Sequence, residues 1–132
     1  MINLSDLTQL KILLIESNQN IRDTLVKAFF REGCSLTTAI SATGGMRLVK
    51  EDCYDIIISD FDLPAMDGFE FFKLAKDYCQ NSVKIIIAAY GDIDPMSNIF
   101  KYGINDIIEK PFPFESLLYT ISKHIEKKSA TG

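Results

Sequence analysis

Short apolar runs and helical patterns of apolar residues alternate along this chain from end to end. Lys11 to Ile15 is an apolar run closed by Glu16. Ser17 and Asn18 mark a helix start, and Ile21, Leu25, Ala28 and Phe29 then recur at helical spacing up to Gly33, a C-terminal stop. Ser35 to Ala39 reads as a short strand, and Ala42 to Glu51 as a second helix interrupted by Gly44 and Gly45. Asp55 to Asp60 has the short, β-branched, apolar centre of a strand covered on both faces. A loop from Leu63 to Gly68 leads into a third helix marked by Phe69, Phe72, Leu74 and Ala75. Val83 to Ala89 is another buried strand. Asp94 to Tyr102 predicts a weaker helix with Pro95 in its first turn, ended by Gly103. Ile104 to Glu109 is the fifth strand, and Leu117, Leu118, Ile121 and Ile125 make Phe114 to Lys127 a final amphipathic helix.

Strand and helix in strict alternation predict a parallel sheet with helices on both faces. Right-handed crossovers restrict the topology. For five strands in a chain of 132 residues the expected solution is the doubly wound, flavodoxin-like order 2-1-3-4-5, with ligands at the carboxyl ends of the central strands. That length suits one domain. Residues 1–10 are expected to form an N-terminal extension, 11–127 the domain, and 128–132 a tail or the start of a linker.

Composition narrows the function. A net charge of −4, with only a small basic pair at Lys127 and Lys128, argues against direct binding to nucleic acid. Cys34, Cys53 and Cys79 are odd in number and lack metal-binding spacing, so they read as reduced thiols. No apolar run reaches the ~20 residues of a membrane helix, and Met1 to Leu10 lacks the features of a signal peptide. The expectation is a cytoplasmic protein. His124, among charged neighbours on the final helix, is expected to be solvated.

The topology gathers Glu16 and Ser17 from strand one, Asp60 from strand three, Ala88 and Ala89 from strand four, and Lys110 and Pro111 from strand five at one edge. The two carboxylates would repel each other unless a divalent cation or Lys110 offset their charge. Mg2+ prefers oxygen ligands and is commonly held by one or two carboxylates plus a phosphate. A carboxylate placed beside Mg2+ and an ammonium can attack phosphorus, as aspartyl-phosphate chemistry requires. As alternatives, Glu16 suits the N-terminus of the following helix, and Asp67 and Gly68 suit the turn and the start of the third helix.

Four segments in this order resemble the receiver domain of two-component response regulators, similar to the chemotaxis regulators. They are the first strand from Lys11 to Glu16, the stretch from Asp60 through Leu63-Pro64 to Asp67-Gly68, the segment Ala89 to Asp92, and Lys110-Pro111-Phe112. The resemblance spans residues 11 to about 127. It implies that Asp60 accepts a phosphoryl group from a histidine kinase or a histidine phosphotransfer protein, and that Lys110 contacts that group. It implies Mg2+ held by Glu16, Asp60 and the backbone carbonyl of Asp62, with Ser17 as the remaining candidate ligand. Catalysis is limited to the domain's own phosphoryl transfer and dephosphorylation. The face formed by the fourth and fifth helices and the fifth strand would carry an output domain, an effector or a homodimer contact. Pro111 is expected to follow a cis peptide bond.

Three positions depart from that pattern. Ser17 stands where receivers carry a second acid, so metal binding is expected to be weak. Ala88 stands where a hydroxyl would reach the phosphoryl group, and Ile107 where an aromatic ring would turn inward. The last two are expected to be degenerate switch positions whose coupling was given up together. These departures support an alternative function, a pseudo-receiver that binds a protein partner without phosphorylation. A cofactor-binding enzyme of flavodoxin type would need a phosphate loop after strand one. The chain has Glu16-Ser17-Asn18-Gln19-Asn20 there, with no glycine and a negative charge.

Overall fold

The structure, a computed structural model, describes residues 7–131, with side chains through residue 126. Five strands, β1 (Ile12–Ile15), β2 (Leu36–Ala39), β3 (Ile56–Asp60), β4 (Val83–Ala89) and β5 (Asp106–Lys110), pair in parallel in the order β2-β1-β3-β4-β5. Four α-helices connect or follow them: α1 (Gln19–Arg31), α2 (Ala42–Glu51), α3 (Gly68–Ala75) and α4 (Phe114–Thr131). Short 3-10 turns lie at Lys76–Tyr78 and Ile99–Tyr102. The doubly wound order expected from the alternation is the one observed.

The period-2 alternation of a strand splits the apolar runs between two cores. Ile12, Leu14, Ile56, Ile58, Ile85 and Ile87 face Leu25 and Phe29 of α1 and Leu117, Ile121 and Ile125 of α4. Leu13, Ile15, Ile57 and Ile86 face Ala42 and Val49 of α2 and Phe71, Phe72 and Ala75 of α3. Leu7 is also buried, in the α1/α4 layer. Gly45, which weakens α2 on propensity, has a packing reason. A Cβ there would lie 2.6 Å from Ile15 Cδ1 and 3.1 Å from the Phe71 ring, so glycine lets α2 settle closely on β1.

The predicted helix over Asp94 to Tyr102 does not form as such; only the 3-10 turn Ile99–Tyr102 does. Local hydrogen bonds compete with the helix here. Asp94 Oδ1 accepts from the Met96 N–H at 2.9 Å, the Asp94 carbonyl accepts from the Ser97 N–H at 2.9 Å, and Asn98 Oδ1 accepts from the Phe100 N–H at 3.2 Å. Such turns offer the backbone an alternative to the helical ladder, and Pro95 supplies no donor. Phe100 is accordingly exposed, as is Tyr119 on α4, while Tyr102, Phe112 and Phe114 are half-buried.

Candidate functional site

The register of the sheet brings the sequence-predicted residues together. Ile15 pairs with Ser59, and Asp60 with Ile87, so Glu16 leaves β1 beside the end of β3. Ala89 pairs with Lys110, which places the lysine at the same edge. Glu16 and Asp60 are 1% and 6% exposed, unusual burial for acids and a sign that partners hold them. Lys110 Nζ donates to Asp60 Oδ2 at 3.1 Å. The other Asp60 oxygen accepts from the Asp62 N–H at 3.3 Å.

Glu16 does not cap α1. That cap is Asn18, whose Oδ1 accepts from the Ile21 N–H at 3.0 Å. Glu16 Oε2 instead accepts from the Asn18 N–H at 3.1 Å, which turns its carboxylate back toward the strand edge. Burial pushes the Glu16 carboxyl up to about 7. The Asn18 N–H opposes this, the negative charge of Asp60 and a hydrogen bond shared with it add to it, and Lys110 opposes it weakly. The site therefore concentrates negative charge on two neighbouring carboxyl groups with one ammonium to balance them.

The loop after β3 is fixed by its own residues. Gly68 N–H donates to the Phe61 carbonyl at 2.8 Å. A Cβ on Gly68 would lie 2.5 Å from Ile86 Cδ1 and 2.9 Å from the Asp60 carbonyl, so only glycine lets α3 start this close to Asp60. Asp67 Oδ1 accepts from the Glu70 N–H at 2.8 Å and caps α3. The turn and helix-start roles read for Asp67 and Gly68 are the ones they play. Between them and Asp60, Ala65 adopts a left-handed φ of 73° after Pro64. The Lys110-Pro111 peptide is cis, as the resemblance implied.

Ser17 is exposed beside Glu16, and Ala88 is buried at the end of β4. Ile107 is half-buried on β5, next to Ala88 in a cleft of about 610 Å³. One residue not singled out from the sequence also shapes the region, and one expectation away from the site is corrected. Arg22 Nη1 donates to the Glu16 carbonyl at 2.9 Å and clamps the turn after β1. Its one sequence signal is its place in the first turn of α1. His124, expected in solvent, has a side chain only 16% exposed, and its Nε2 lies 3.0 Å from Asp106 Oδ2 on β5. That correction comes from the packing of α4 on β5, which charge patterning along the helix did not reveal.

The donor chemistry suits a hard cation. The two buried carboxyl groups of Glu16 and Asp60, beside the backbone carbonyls of the loop after β3, are oxygen donors of the kind Mg2+ takes. Among the described residues no cluster of three or more acids, histidines or cysteines completes a metal cage. Carbonyl and solvent oxygens would have to fill the remaining positions.

An open α/β sheet with a buried aspartate, a second acid and a lysine converging at its carboxyl edge is the architecture of a receiver class of signalling domain. The chain belongs to that class by sequence: it is a member of the response regulator receiver domain family, whose profile matches residues 12–122. It is a receiver domain of two-component signalling, typically a non-enzymatic module and one that typically binds Mg2+. Sporulation initiation phosphotransferase F of Bacillus subtilis is 29% identical over 90% of this chain and 96% of that protein. Transcriptional regulatory protein HprR of Escherichia coli is 30% identical over 92% of this chain but only 54% of its own length. Response regulator protein FleR of Pseudomonas aeruginosa is 25% identical, and this chain spans 24% of it. A receiver domain structure from Clostridium thermocellum superposes with a TM-score of 0.84 at 26% identity, covering 93% of this chain and 99% of that one. No helix among the described residues is long and apolar enough to cross a membrane.

Proposed function

We propose that this domain accepts a phosphoryl group on Asp60 from a phosphohistidine of a kinase or phosphotransfer protein, and signals through the resulting change at its surface. The observation that carries this reading is the 3.1 Å pair of Lys110 with a nearly buried Asp60 at the carboxyl edge. A loop aspartate with no chemical role has no need of a half-buried lysine partner from a strand fifty residues away.

The step balances simply. An Asp60 carboxylate oxygen attacks phosphorus, an O–P bond forms, and the bond to the donor nitrogen breaks with its electron pair returning to the imidazole. Lys110 holds Asp60 in place and meets the incoming phosphoryl oxygens with positive charge. Glu16, Asp60 and the Asp62 carbonyl would hold Mg2+, with Ser17 the nearest further ligand. When bound, Mg2+ supplies charge neutralisation to the transferring group. Ser17 contributes a neutral hydroxyl where a carboxylate would bind more strongly, so we infer a weak metal site. Ala88 and Ile107 bring neither a hydroxyl nor an aromatic ring to the site, and in this reading they are degenerate switch positions.

The match to a sporulation phosphotransferase over nearly its whole length supports phosphotransfer partners in general. The matching regulators that are longer leave room for an output domain. The test is intact-mass measurement after incubation with Mg2+ and acetyl phosphate. A phosphoryl adduct in the wild type and none in Asp60→Asn is expected. A folded wild type that gains no adduct at high Mg2+ would leave the domain a phosphorylation-independent binding module.

A further inference from the structure

Three aromatic rings touch in series from the loop after β3 to the 3-10 turn Ile99–Tyr102. Phe61 directly follows Asp60, and its main chain is held on both sides: its N–H donates to the Ile87 carbonyl at 2.7 Å and its carbonyl accepts from the Gly68 N–H at 2.8 Å. Its ring meets Phe69 edge to face with centroids 5.1 Å apart. Phe69, in the first turn of α3, lies nearly parallel to Tyr102 at 5.0 Å. Tyr102 is the last residue of the 3-10 turn Ile99–Tyr102, whose neighbour Phe100 is 76% exposed.

From this geometry we propose that Phe61, Phe69 and Tyr102 are the element that carries the state of Asp60 to the surface at residues 99–103. The proposal rests on Asp60 being the phosphoacceptor. Charge added at Asp60 must draw Lys110 and the Asp60–Asp62 loop into a new arrangement, because Lys110 and the Asp62 N–H each donate to one of its two oxygens. Phe61 cannot follow that movement by sliding, since its backbone is tied to β4 and α3. Its ring shifts against Phe69 instead, and stiff, flat rings pass a displacement on where an aliphatic side chain would absorb it by changing rotamer.

The receiving end is built to move. A 3-10 turn of four residues has poorer hydrogen-bond geometry than an α-helix. Beneath it lies the cleft of about 610 Å³ lined by Ala88, Ile93, Ile99 and Ile107, which gives the turn space to shift into. Ala88 and Ile107 line that cleft with a methyl and an aliphatic chain, so they supply no polar link of their own between the site and the turn.

The test uses beryllofluoride with Mg2+ as a phosphoryl analogue and follows backbone amide NMR shifts in the full chain. In the wild type, shifts are expected at residues 60–62 and at 99–103. In Phe69→Leu the first group should persist and the second should be lost, while Phe69→Tyr, which keeps the ring, should retain both. Tyr102→Leu should behave like Phe69→Leu, and it decides the matter if Phe69→Leu does not fold. Undiminished shifts at 99–103 in the leucine variants, or a wild type that shifts only at 60–62, would overturn the coupling and leave Asp60 as acceptor. A wild type with no shift at 60–62 would overturn both.

Discussion

Glu16 is the residue on which the electrostatics of the site turn. Its carboxyl is raised from 4.5 to about 7 in the folded protein, so between those values the unfolded chain has released a proton that the native state still holds. Stability of the metal-free protein should therefore fall as pH rises from about 4.5 to about 7, by on the order of 3 kcal/mol, and level off above. Glu16→Gln should flatten that slope and be more stable than the wild type at pH 8 in the presence of a chelator. Urea denaturation across pH measures both, and an unchanged slope in the variant would show that Glu16 is not the group responsible. Asp60 and Lys110 were legible in the sequence because strand ends and loop motifs are local signals. The roles of Arg22 and His124 were not, because each depends on which backbone or side chain a helix happens to face after packing.

Two elements hold the site in place, and each has a weak point. The start of α3 depends on Gly68, where a methyl group would strike the Asp60 carbonyl and Ile86. Gly68→Ala should cost about 1–3 kcal/mol, as overpacking typically does, and should slow phosphorylation because Asp60 moves with its carbonyl. Denaturation midpoint and adduct formation would be read on the same sample; no loss in either would mean that α3 starts elsewhere. At the other edge, α4 is tied to β5 through Asp106. Burial alone would raise its carboxyl, but hydrogen bonds from His124, the Ile107 N–H and Lys123 outweigh it and hold it below the usual range. A lowered acid contributes stability that is present above its unfolded value and is lost as pH falls through the folded one. Asp106→Asn should thus destabilise by about 1 kcal/mol near neutral pH, given its partial exposure, and the difference from wild type should vanish in acid. A difference that persists at low pH would point to packing and not to charge. The one helix misjudged from sequence, Asp94 to Tyr102, failed at this scale too. Apolar spacing favoured it, but Asp94 and Asn98 bond their own backbone, a competition that periodicity does not register.

For the molecule as a whole, alternation of strand and helix sufficed to give the strand order, because a doubly wound sheet leaves few other ways to cover both faces of five buried strands. That order alone brings the ends of β1, β3 and β5 to one edge, so fold and candidate site became readable together. The apolar runs divide between two cores, and the polar residues that interrupt them at their carboxyl ends are the ones to which the proposed chemistry is assigned. The longer matching regulators carry further sequence outside the region aligned here, and the surface at residues 99–103 is where this domain would address a partner. The proposed signalling function depends on a covalent bond to one oxygen of one aspartate. Treating the Mg2+- and acetyl phosphate-exposed protein with borohydride reduces an acyl phosphate to the alcohol, so peptide mapping reads the site directly. Homoserine in place of Asp60, absent without acetyl phosphate, is the predicted result. Homoserine at another position, or none in a folded sample, would contradict the assignment of Asp60 as the phosphoacceptor.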